Sequence, residues 1–97
     1  MMNVIEKLVG LVEKLYAETE GYADNPSDAQ LWYNRGYANG VVAYFQKNGL
    51  AEKLAHLSLD ENNIYKNDHV MEWFKAYHHG FEMGERESGE VCLTNDT

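Results

Sequence analysis

A short glycine motif that occurs twice is the sequence feature that most constrains the fold of this chain. The copies are Gly36-Tyr37-Ala38-Asn39-Gly40 and Gly80-Phe81-Glu82-Met83-Gly84. Because residues four apart lie on one face of a helix, each glycine pair leaves a strip of bare backbone. Glycine costs about 1 kcal/mol relative to alanine inside a helix. We therefore expect a packing reason for these glycines, namely the closest crossing of two helices within one chain or between two copies. The positions expected to pack in this way are Gly36, Gly40, Gly80 and Gly84.

The spacing of apolar residues predicts four helices, one of them short. The expected ranges are 2–19, 25–48, 50–58 and 67–88, and no segment has a convincing strand pattern. A single proline in the sequence leaves most of the chain free to be helical. The sequence therefore predicts an all-α fold, a small four-helix domain.

Capping residues predict where these helices begin and end. Asn25 suits the N-cap of the second helix, and Pro26 suits its first helical position. Gly49 is a left-handed terminator for that helix, and Gly89 ends the fourth one. The domain is thus expected to span 1–89, followed by a flexible acidic tail over 90–97.

The approaches to the two glycine motifs are in rough register. Tyr22 lies 14 residues before Gly36, and Tyr65 lies 15 before Gly80. Each motif also follows a helix, which is long in the first half of the chain and short in the second. Two degenerate helical hairpins would explain this pattern, and chance similarity is the alternative.

The charge of the chain restricts its partners. Eight basic residues stand against 16 acidic ones, so the net charge is −8. Binding to duplex nucleic acid depends on Lys and Arg that neutralise phosphates, so direct duplex binding is not expected. No signal peptide or membrane-spanning segment is recognised, which favours a soluble cytoplasmic protein. The acidic balance points instead to solubility or to a partner protein with a basic surface.

The residues that usually carry chemistry do not form a catalytic pattern. Cys92 is the single cysteine and lies in the predicted tail without a fixed histidine to activate it. The adjacent residues His78 and His79 would point about 100° apart on a helix, which is poor geometry for chelation. We expect no catalytic residues, no metal and no cofactor, and hence no enzyme.

The residues expected to meet a partner lie on the second and fourth helices. The aromatic pattern of the second helix is typical of a packed core, and the alternative is an interface. Tyr and Arg are common anchors of protein–protein interfaces, which singles out Arg35 and Tyr37 for that alternative. Carboxylates near the end of the fourth helix oppose its macrodipole, a local conflict typical of functional positions. That outward acidic surface is predicted to comprise Glu82, Glu85, Glu87 and Glu90, and the alternative is a terminus that only aids solubility.

These features favour a non-enzymatic protein-binding module. We expect an inhibitor or regulator that occupies a basic surface of a nucleic-acid-handling protein, and the composition is typical of bacteriophage and mobile-element proteins. A helical homo-oligomer that binds a small ligand is an alternative, as is an assembly protein without a ligand. A homodimer is compatible with all three functions. In the ligand-binding homo-oligomer, the aromatic pocket would be lined by Trp32, Tyr37, Trp73 and Tyr77.

Overall fold

The computed structural model describes residues 3–60 and 72–94, which are helical and contain no strand. The α-helices are α1 (Val4–Glu18), α2 (Ala29–Lys47) and α3 (Glu72–Thr94). A first 3₁₀ helix (Tyr22–Asp24) lies between α1 and α2, and a second (Ala51–Leu54) follows α2. The all-α prediction is confirmed for the described residues. The short helix predicted over 50–58 is a 3₁₀ turn.

Helix α1 has the amphipathic form expected from its sequence. The Asn3 side chain caps its start and accepts a hydrogen bond of 2.8 Å from the backbone N–H of Glu6. The helix ends at Glu18, and Gly21 follows with a left-handed φ of 75°. Glycine adopts this conformation without the steric cost of a β-carbon, so it suits the turn that leaves the helix.

Helix α2 begins later than predicted because Asp28, not Asn25, is its N-cap. The Asp28 carboxylate accepts a hydrogen bond of 3.1 Å from the N–H of Leu31. Asn25 is needed in the preceding turn, where its side-chain amide donates to the carbonyl of Gly21. The backbone oxygen of Asn25 also accepts a hydrogen bond of 3.0 Å from the Trp32 indole. Tertiary contacts therefore decided between two acceptable caps.

The end of α2 follows the prediction. Gly49 has a left-handed φ of 71°, and the N–H of Leu50 donates to the carbonyl of Phe45 over 2.8 Å. This six-to-one hydrogen bond is the mark of a Schellman ending, which favours glycine. Leu50 and the second 3₁₀ helix then fold back toward α1. The buried apolar core formed there comprises Leu8, Val12, Val41, Val42, Phe45 and Leu54.

Helix α3 extends past its predicted end. Gly89 was expected to terminate the helix, but α3 continues to Thr94, so residues 90–94 are helical and not an irregular tail. The reason is packing: a β-carbon at Gly89 would touch the Tyr44 ring at 3.6 Å, and Cys92 lies against the core. The predicted start near residue 67 and the end of the tail, 95–97, lie outside the described residues.

The closest helix crossing lies between α2 and α3. A β-carbon at Gly36 would lie 2.0 Å from the backbone oxygen of Tyr77, and one at Gly40 would lie 2.1 Å from that of Phe81. Moving four residues along α2, from Gly36 to Gly40, moves the contact four residues forward along α3, from Tyr77 to Phe81. The two helices are therefore parallel. The carbonyl oxygens then lie within about 3.6 Å of the glycine α-carbons, the range of Cα–H···O contacts.

The reverse contacts have the same form. A β-carbon at Gly80 would lie 2.1 Å from the oxygen of Tyr33, and one at Gly84 would lie 2.1 Å from that of Tyr37. Gly36 and Gly80 are 44 residues apart, as are Tyr33 and Tyr77. The contacts of one helix are therefore repeated by the other, which relates α2 and α3 by an approximate two-fold axis parallel to both.

Candidate functional site

Two of the carboxylates predicted to meet a partner instead join α3 to α2. Glu85 forms an ion pair with Lys47, and the Glu85 side chain is 28% exposed. The Glu87 carboxylate accepts a hydrogen bond from the Tyr37 hydroxyl and is half-buried. Burial of the Tyr37 hydroxyl, together with this carboxylate, raises the pKa of Tyr37. The side chains beside the crossing therefore already have partners inside the chain, which applies to Glu85, Glu87 and Tyr37.

The other two predicted carboxylates lie on the solvent-exposed face of α3. Glu82 is 2.9 Å from the His78 ring, and Glu90 is 3.6 Å from the Arg86 guanidinium. Both pairs join residues one helical turn apart and are well exposed, where an ion pair contributes little to stability. Of the acidic surface predicted from the sequence, Glu82 and Glu90 are the two carboxylates that are well exposed to solvent.

A further group of carboxylates lies where the chain turns from α1 to α2. All four are exposed, and none pairs with a Lys or Arg among the described residues. The sequence has no basic residue between Lys14 and Arg35, and Arg35 is buried. Within residues 3–60 and 72–94, no Lys or Arg therefore offsets the negative charge of this group. These residues, here named the acidic corner, are Glu18, Glu20, Asp24 and Asp28.

Arg35 lies at the centre of a buried polar cluster. Its guanidinium donates to both carboxylate oxygens of Asp60, over 2.9 and 3.0 Å. The same group lies 3.8 Å from the centre of the Tyr16 ring and 4.7 Å from that of Tyr22. A third hydrogen bond, of 3.0 Å, reaches the hydroxyl of Thr19. Bidentate pairing and stacking of this kind are the geometry for which Arg is suited.

Asn39 links the same cluster to α3. Its side-chain amide donates to Asp60 over 2.9 Å and to the Tyr77 hydroxyl over 2.7 Å. Its oxygen accepts from the Tyr16 hydroxyl, which in turn accepts from the backbone N–H of Asp60 over 3.1 Å. Among the described residues, no buried side-chain nitrogen or oxygen lacks a partner. The cluster is therefore satisfied internally and fastens the chain at residue 60 to α1, α2 and α3.

The charged members of this cluster are stabilised in their ionised forms. Burial of the Asp60 carboxyl acts to raise its pKa, but hydrogen bonds from Arg35 and Asn39 outweigh burial and hold that pKa below its usual range. Arg35 is 9% exposed. The prediction that Arg35 lies in a partner-binding surface is therefore wrong, because its guanidinium is buried and paired with the distant Asp60.

The four aromatic residues expected to line a ligand pocket do not come together as a set. The Trp32 ring centre lies 4.5 Å from that of Trp73 and 6.3 Å from that of Tyr77. Trp32 is 2% exposed, so these rings pack on one another. Tyr37 lies on the opposite flank of the α2–α3 crossing, beside Glu87.

A shallow groove that the sequence did not reveal lies between α1 and the start of the second 3₁₀ helix. It has a volume of about 490 Å³ and an apolar floor formed by Ile5, Val9 and Leu50. The one sequence signal was Gly10, an unexplained glycine inside an amphipathic helix. The remaining lining residues are Asn3, Glu6, Gly10, Glu13 and Lys53.

Metal-binding residue types do not gather in the described part of the chain. No group of three or more His, Cys, Asp or Glu residues there could hold a metal ion. Cys92 is half-buried and packs against the core. No helix in residues 3–60 or 72–94 combines the length and the hydropathy needed to cross a bilayer.

Comparisons with protein-family models, with curated proteins and with solved structures give no match.

Proposed function

We propose that the protein is a non-enzymatic protein-binding module, an inhibitor or regulator that occupies a basic surface of a nucleic-acid-handling protein. The observation that carries the proposal is the acidic corner, an exposed set of carboxylates that pair with no Lys or Arg in the part of the chain that the structure describes, on a chain of net charge −8. An uncompensated charge of one sign steers a complementary surface during encounter and suppresses partners of like charge.

The acidic corner is a better candidate than the end of α3 because its charge is available. On α3, Glu85 is neutralised by Lys47, and Glu90 lies beside Arg86. In the acidic corner, Asp28 caps α2 through one carboxylate oxygen, and its side chain is exposed. Because its carboxylates lie at helix ends and in the connecting turn, with all four side chains exposed, they can adapt to a partner without disturbing the core.

Two variants with the same net charge test the proposal. Each removes three exposed carboxylates and leaves the cap at Asp28 intact, so solubility and long-range charge change equally. The corner variant carries Glu18→Gln, Glu20→Gln and Asp24→Asn. The α3 variant carries Glu72→Gln, Glu82→Gln and Glu90→Gln.

The measurement is affinity capture from the native host at low and high salt, identified by mass spectrometry, followed by association kinetics with the purified partner. We expect a basic partner whose association slows about tenfold for the corner variant and falls steeply with salt. If association slowed only for the α3 variant, the binding site would lie at the exposed carboxylates of α3, namely Glu72, Glu82 and Glu90. Equal kinetics for wild type and both variants would refute an acidic binding surface.

A further inference from the structure

We draw no further inference here: the strongest candidate, the shallow apolar groove beside Gly10 between α1 and the second 3₁₀ helix, has Lys53 as well as carboxylates along its sides, with Glu13 already paired to His56, and nothing in the part of the chain that the structure describes shows what covers it.

Discussion

The substitution Gly84→Ala probes how tightly α2 and α3 pack. The added β-carbon would lie 2.1 Å from the backbone oxygen of Tyr37 and 2.9 Å from its carbonyl carbon. Ordinary contacts between carbon and a carbonyl oxygen begin near 3.3 Å, so the helices must separate locally by about 1 Å. A backbone carbonyl inside a helix cannot rotate away as a flexible side chain can.

The expected net cost is about 1–3 kcal/mol. Overpacking contributes about 1–3 kcal/mol, and weakened Cα–H···O contacts add about 0.5–1 kcal/mol each. The higher helix propensity of alanine returns about 1 kcal/mol. In a domain of this size, each kcal/mol lowers Tm by about 4–8 °C.

Chemical denaturation followed by circular dichroism measures this cost as a lower midpoint with an unchanged slope. Gly10→Ala is the matched control, because its β-carbon points into open space and should raise stability. The double variant Gly40→Ala/Gly84→Ala should cost less than the sum of the single variants, since the first separation relieves the second clash. Wild-type stability in Gly84→Ala would refute the close crossing.

Three further predictions concern the ion pair of Asp60, the hydroxyl of Tyr37 and the backbone at Gly49. Because the folded pKa of Asp60 lies below its unfolded value, its contribution to stability is full above about pH 5 and is lost as pH falls through the folded value. Denaturation midpoints across pH 2–7 should show this loss, which Asp60→Asn should reduce and the exposed control Glu90→Gln should preserve. Tyr37→Phe removes the hydrogen bond to Glu87 and should cost about 1 kcal/mol in the same denaturation assay, and a neutral effect would remove this contact from the interface. Gly49→Ala should cost about 1–2 kcal/mol because φ there is 71°, and a stabilising effect measured by Tm would contradict the left-handed ending.

Local patterns in the sequence were sufficient to predict that α1, α2 and α3 exist and that α2 and α3 carry glycine faces, but not where every helix begins and ends. The stripe of apolar residues in α1 and the glycine spacing in α2 and α3 depend on residues within a few turns of one another. The choice between Asn25 and Asp28 as a cap was not local, because the Trp32 indole needs the Asn25 carbonyl. Both residues are good caps, so propensity alone could not separate them.

The polar cluster and the fate of the acidic residues could not be predicted in this way. Asp60 lies between two predicted helices, and its partner Arg35 is 25 residues away in sequence. Glu87 appeared to continue an exposed charge run, but the parallel crossing brings it to the Tyr37 hydroxyl, 50 residues away. Such contacts depend on the relative direction of α2 and α3, which helical periodicity does not encode.

The parallel direction of α2 and α3 has a consequence for the order in which the chain folds. Residues that meet at the crossing, such as Gly36 and Tyr77, are far apart in sequence, so their contact requires the closure of a long loop. Polar contacts between α2 and the end of α1 close over shorter spans, 16 residues for Thr19 and Arg35 and 23 for Tyr16 and Asn39, and can form first. Helix α3 then docks as one piece onto a surface that is already built, and fastening the chain at Asp60 shortens the remaining search. The rate-limiting step of folding is therefore expected to be the arrival of α3, and alanine at its glycines should slow that step while leaving the formation of the first two helices unchanged.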